Sequence, residues 1–105
     1  MTMSASAPDD YTIDRDGADT GVFVLKRRGA AIGHLDYHLG DGVIYIDYVE
    51  VLPTERGLGL GVLLVDAAAD WARASSRSVE PICGYARRVL VSAAKYRDVF
   101  RPSAP

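Results

Sequence analysis

The residues of this 105-residue chain best suited to chemistry are three alternating glycines, Gly57, Gly59 and Gly61, directly behind Arg56. Each glycine costs backbone entropy, so three at one helix start require a reason. Without side chains, backbone N–H groups can approach one ligand together. A helix N-terminus adds unpaired donors and a partial positive charge. This is a recipe for holding a phosphate or pyrophosphate, with Arg56 as a fixed charge beside it. The alternative is a glycine-rich turn that serves tight packing, and the glycines alone do not separate the two. Two other phosphate-binding patterns fail. A P-loop needs Gly-Lys followed by Ser or Thr, and no such triplet occurs. In a G-x-G-x-x-G fingerprint the third glycine would fall on Val62 or Leu64. That fingerprint also opens the first strand–helix turn of its fold, whereas four strands are expected before this one.

His34, Asp36 and His38 alternate along one strand and invite a metal or relay reading. Residues four apart on a strand are ~13 Å apart, too far to share one ion. They read as solvent-facing or as lining a substrate side. With two histidines and a single cysteine, Cys83, no metal site is expected, and no internal disulfide can form. The lone thiol fits a reducing, cytoplasmic setting.

The elements that must position these groups follow from periodicity. Residues 11–16 form a short first strand and 22–26 a second, rich in strand formers. Residues 31–39 alternate, with Ala31, Gly33, Leu35, Tyr37 and Leu39 on one face and Ile32, His34, Asp36 and His38 on the other. Gly40-Asp41-Gly42 signals a hairpin into a strand over 43–51. The period then changes. Leu60, Leu63, Leu64, Ala67, Ala68 and Trp71 mark one face of an amphipathic helix. A fifth strand over 79–83 and a second helix carrying Tyr85, Val89, Leu90 and Ala93 complete the pattern. The fold class is α/β (α+β): four antiparallel strands, then helix–strand–helix. The strands flanking the first helix can be parallel through a right-handed crossover. Pro81 lacks an N–H, which marks an edge strand or a strand that parts from its neighbour and leaves a slot.

Length and composition suit one domain, over 11–100, with a flexible tail at 1–10 and a frayed end at 101–105. Residues 1–10 have neither a basic start nor an apolar run, so they do not read as a signal peptide. No apolar stretch approaches the ~20 residues of a membrane span. The net charge of -2 hides a split. Residues 1–72 carry 5 basic and 12 acidic side chains, and 73–105 carry 7 and 2. A basic C-terminal third can meet an anionic partner or simply be solvated helix faces. An acidic chain is a poor nucleic-acid binder, so neither nucleic acid nor membrane is expected as a partner.

Val49-x-Val51-x-Pro53-x-x-Arg56-Gly57-x-Gly59-x-Gly61, followed by Leu63-Leu64, resembles the acetyl-CoA signature of the GNAT N-acetyltransferase superfamily. Its core, R-x-x-G-x-G, is matched by Arg56, Gly59 and Gly61. The resemblance extends to the short, single-domain branch that lacks the early helices. Pro81-Ile82-Cys83-Gly84-Tyr85 and Tyr96-Arg97-Asp98-Val99 match motifs of that branch. It implies a GNAT-like mixed sheet whose fourth and fifth strands splay apart around the pantetheine arm. It further implies that Val49, Glu50 and Val51 contact pantetheine, and that Arg56, Gly57, Leu58, Gly59, Leu60, Gly61 and Val62 hold the pyrophosphate. The implied activity is acetyl-CoA-dependent transfer of an acetyl group to an amine of unknown identity, small or on a protein. A non-catalytic acyl-CoA-binding or interaction module is the alternative.

Acetyl transfer to an amine requires loss of a proton from the amine, polarisation of the thioester carbonyl, and benefits from a proton for the departing thiolate. Glu50 is the best-placed carboxylate for a general base, the alternative being a salt-bridged strand-end glutamate. Cys83 matches the branch's cysteine and reads as acetyl carrier or proton donor, the alternative being a buried small hydrophobe. Tyr85 could donate a proton, but a helix-start aromatic is more often core. Trp71 reads as core. The chain departs from the branch at Tyr48-Val49, where His-Thr is usual. It departs again at Val89 and Ala93, where a tyrosine and a histidine are common. These departures bear on catalysis rather than on coenzyme binding. The acceptor and the oligomeric state are not legible in the sequence.

Overall fold

A computed structural model describes residues 10–102. Alternating side chains make the first half a sheet: β1 (Tyr11–Gly17), β2 (Thr20–Arg27), β3 (Ala30–Gly40) and β4 (Val43–Val51). A short 3-10 turn, Pro53–Glu55, leads to α1 (Leu60–Ala74), then β5 (Ser78–Pro81), α2 (Gly84–Ser92) and a last 3-10 turn, Ala94–Tyr96. The sheet order is β1-β2-β3-β4-β5, antiparallel through β4 and parallel between β4 and β5. This is the expected mixed α/β architecture.

Cross-strand partners share a face. Phe23, Leu25, Leu35, Tyr37, Ile44 and Ile46 point to one side, where they meet Leu64, Val65 and Ala68 of α1 and Ala86 and Leu90 of α2. Tyr37 and Phe23 stack edge-on against Trp71, which is packed on the core as expected. Both helices thus cover the same face. The other face carries two rows in register. One is Asp14, Val24, His34 and Glu50; the next is Asp16, Val22, Asp36 and Tyr48.

Two bulges break the simple alternation. Leu25 pairs with Gly33 and Lys26 with Ala31, so Ile32 is an extra residue. The bulge turns Ile32 into the core at 6% exposure, not onto the His34 face as alternation predicts. On β4, Tyr37 pairs with Ile46 and Asp36 with Tyr48, leaving Asp47 as the second extra residue.

The buried stripe of α1 is rotated from the expected one. Leu60, Leu64 and Ala68 are buried, but Gly61, Val65, Ala69 and Ala72 replace Leu63, Ala67 and Trp71, which are only partly covered. The small residues at 61, 69 and 72 are what let neighbouring elements approach on that side.

The expected tails are partly held. Asp10 accepts from the Arg28 N–H at 3.0 Å, while residues 1–9 and 103–105 lie outside the described residues. Arg101 donates its N–H to Val79 O at 2.8 Å and pairs with Glu80 at 3.7 Å. No described helix is long and apolar enough to cross a membrane.

Candidate active site

The site begins where β4 loses its neighbour. The β4–β5 pairing ends at Ile46 and Pro81. The N–H groups of Ile82 and Cys83 both donate to Ile46 O, at 2.9 and 3.1 Å, and the chain turns away into α2. Residues 47–51 continue without a β5 partner.

Pro81 is not the direct cause of this parting. Along β5, Ser78 and Ile82 donate toward β4, whereas Val79 donates to Val99 on the other side. By that alternation the position of Pro81 faces the C-terminal segment, where its missing N–H costs the β4 ladder nothing. The pairing stops where the four-residue β5 ends, one residue before the bulge at Asp47, a feature that commonly ends pairing.

A cleft of about 320 Å³ opens at the freed edge. It is lined by Tyr48, Val49, Glu50 and Val51 of β4, by Glu55, Arg56 and Gly57 of the loop, by Gly59, Leu60 and Gly61 at the start of α1, and by Tyr85 of α2. Gly57 and Gly59 have φ of +87° and +72°, a left-handed conformation that side chains resist. A Cβ added at either would meet nothing within 4 Å, so the loop leaves open space where it faces the cleft. Gly59 is the N-cap of α1, and no side chain caps that helix start. The donor set suits a pyrophosphate. Gly61 has another reason: its Cβ would lie 2.6 Å from the Tyr85 hydroxyl.

The charges in the cleft are arranged in pairs. Glu55 is held by Arg27 at 3.1 Å. Glu50 lies 4.0 Å from Arg56 and 3.5 Å from His34 Nε2, while His34 Nδ1 lies 3.1 Å from Asp36. Arg56 also donates from Nε to Val51 O at 3.0 Å, which ties the loop to the strand end. Partial neutralisation of both glutamates lowers the penalty for an anion nearby. Burial pushes the Tyr85 phenol above its usual range, against a smaller lowering by Arg88, so the hydroxyl stays protonated.

Eight of the ten residues expected at the coenzyme line this cleft: Val49, Glu50, Val51, Arg56, Gly57, Gly59, Leu60 and Gly61. Leu58 is outside it and 61% exposed. Val62 packs on the core and spends its N–H on Gly59 O. Cys83 is the N-cap of α2, partly buried against the core, and does not line the cleft. Tyr85, weighed above mainly as core, is in the lining. Tyr48 and Glu55 also line it without having been anticipated. For Glu55 the two-residue gap to Gly57 was an available signal. Of the departing positions, Val89 is buried at 8% and Ala93 ends α2. Lys95 pairs with Asp66 at 3.2 Å, whereas Arg88 acts electrostatically on Tyr85. Among the described residues no group of three or more His, Cys, Asp or Glu could hold a metal ion.

The family model of the GCN5-related N-acetyltransferases matches residues 22–99, which span β2 from its third residue, β3 to β5, both helices and the cleft. The chain belongs to that family. It is thus an acyltransferase by family, and solved members share its fold. A GCN5-like protein from Staphylococcus aureus, solved by NMR, superposes with a TM-score of 0.70 at 23% identity, covering 92% of this chain and 94% of that one. A ribosomal-protein-alanine N-acetyltransferase from Brucella melitensis gives 0.58 at 20% identity, over 72% of this chain and 65% of that one. A protein from Bacillus anthracis, crystallised in complex with acetyl coenzyme A, gives 0.53 at 20% identity, over 61% and 38%. No curated protein matches the chain in sequence.

Proposed function

We propose that the protein is an acetyl-CoA-dependent N-acetyltransferase and that the cleft between β4 and α2 is its coenzyme site. One observation carries this: the unpaired edge of β4 and the glycine-rich loop before α1 line the same hollow. Val49 and Val51 would flank the pantetheine arm, and Arg56, Gly57, Gly59 and Gly61 would hold the pyrophosphate. The coenzyme supplies an activated acetyl thioester. Glu50 is placed to take the proton the amine loses as the new N–C bond forms and the C–S bond breaks. Tyr85, kept protonated, is placed to return a proton to the sulfur. Within the single domain proposed for residues 11–100, these groups come from three elements. The proposed setting is cytoplasmic, with which the single free thiol is in keeping.

A second reading, coenzyme binding without turnover, draws on the position of Cys83 outside the cleft and on the buried, unreactive Val89. Calorimetric titration with acetyl-CoA tests the common part. Wild type is expected to bind at micromolar strength. Arg56→Glu, at an exposed site, is expected to weaken binding by about ten-fold through lost charge complementarity. Folded wild type that does not bind would sink the proposal. Acetylation of an amine that Glu50→Gln slows about 100-fold, with binding retained, selects the enzyme over the binding module.

A further inference from the structure

We propose that the helix-free face of the sheet docks the acceptor, and that the acceptor is a basic segment of a polypeptide presenting its amine at Glu50. The proposal rests on the reading of the cleft as the coenzyme site. A second hollow, of about 420 Å³, lies on this face and is lined by Val22, Val24, Ala31, His34, Glu50 and Leu52 among others. Glu50 lines both hollows. It therefore stands where the coenzyme cleft meets the open face, at the place where an amine must arrive.

The face has a definite charge. Asp14, Asp16, Asp36, Asp47 and Glu50 are set on or against the two cross-strand rows, facing two fixed cations, Lys26 and the Arg56 that lies 4.0 Å from Glu50, with His38 2.9 Å from Asp47. Lys26 is already paired with Asp14 at 3.0 Å, and five carboxylates still outnumber the two fixed cations. Neighbouring carboxylates spread over β1, β3 and β4 repel one another, and a cationic partner relieves that repulsion. The row from Asp14 to Glu50 crosses three strand spacings, roughly 14 Å. A small amine at Glu50 touches only the end of that row, whereas an extended basic segment reaches its whole length. Between the carboxylates, Val22, Val24 and the 47% exposed Leu52 offer an apolar floor. Such a floor suits the methylene stems of arginine and lysine, whose heads then reach the acids. His34, between Asp36 and Glu50, couples the floor to the cleft.

Methyl resonances of Val22 and Val24 test this in protein saturated with acetyl-CoA. Three probes are used: an arginine-rich peptide with a free N-terminal amine, an aspartate-rich peptide with the same first residue, and spermine. The arginine-rich peptide is expected to shift both valines saturably and to leave the core methyls of Leu64 and Val65 unmoved. Its affinity should fall by about five-fold in Asp14→Asn/Asp16→Asn, and again as salt rises. Both substitutions lie on β1, away from the cleft, so acetyl-CoA affinity should not change. Unmoved valines, affinity indifferent to the variant or to salt, equal binding of the acidic peptide, or spermine binding as tightly as the peptide would each overturn the proposal. Coenzyme binding is read separately from the Gly57 and Gly59 amides. Loss of that signal tells against the cleft, and the valine shifts still decide the face.

Discussion

Tyr96 shows how a single side chain can join elements distant in sequence. Its hydroxyl donates to Asp66 of α1 at 2.5 Å, and its ring is 2% exposed. Burial first, and the bond to the carboxylate second, push the phenol well above its usual range. The fold therefore favours the neutral phenol. A raised pKa of this kind contributes stability that is complete below the unfolded value and lost as pH climbs toward the folded one. Urea unfolding should thus show wild type weakening from about pH 10 upward, the ordinary tyrosine range, with a shallower loss in Tyr96→Phe. At neutral pH that variant should be less stable by about 1 kcal/mol, one hydrogen bond. Equal slopes for both proteins would remove Tyr96 from the alkaline transition. At this scale the sequence revealed Glu50 and Arg56 through their place beside a strand end and a glycine run. It did not reveal the His34 contact with Glu50, because cross-strand neighbours depend on register.

Among the elements, β4 does the most to make the cleft. Its extra residue, Asp47, keeps Tyr48 and Glu50 on the open face and Val49 on the core side, one residue past the last pair with β5. Deleting Asp47 restores regular alternation without turning any side chain to the wrong face. The deletion should therefore leave a folded protein with a straighter β4 that lies closer to the path of β5. We expect about ten-fold weaker acetyl-CoA binding with a near-native circular dichroism spectrum, bulges being devices that terminate pairing. Unchanged affinity in the folded deletion would assign the parting to the turn at Ile82 and Cys83 alone. The bulges were illegible in the sequence. An inserted residue has no compositional mark when the strand around it is rich in Val, Ile and Tyr.

For the molecule as a whole, one core lies under one face of the sheet, and the other face is left to solvent or a partner. Three of the seven basic residues in the C-terminal third form ion pairs within the structure: Arg73 clasps Asp98 at 2.7 Å, Lys95 meets Asp66 and Arg101 meets Glu80. The Asp98 carboxyl is held below its usual range, chiefly by the hydrogen bond from Arg73. The cleft draws its walls from β4, α1 and α2, so a ligand bound there bridges elements that separate on unfolding. A ligand at 100 times its dissociation constant adds about 2.7 kcal/mol to the stability of the folded state. For a domain of this size that corresponds to a rise in Tm of roughly 10 °C or more. Differential scanning calorimetry with and without acetyl-CoA measures it directly. A rise of the same size with adenine alone would show that the pantetheine part of the cleft contributes little.

The sequence by itself determined the element order, the sheet-then-helix division and the glycine loop that lines the cleft. Those depend on local periodicity and on where glycine is the only residue the backbone accepts. Tertiary structure alone decided three things. It rotated the buried stripe of α1 toward Val65 and Ala72, because the small residues there admit a close neighbour. It set Cys83 at the start of α2 outside the cleft and Tyr85 within it, because Gly61 leaves room for that ring. It gathered carboxylates from three strands on one bare face, because register, and not spacing along the chain, determines which side chains become neighbours.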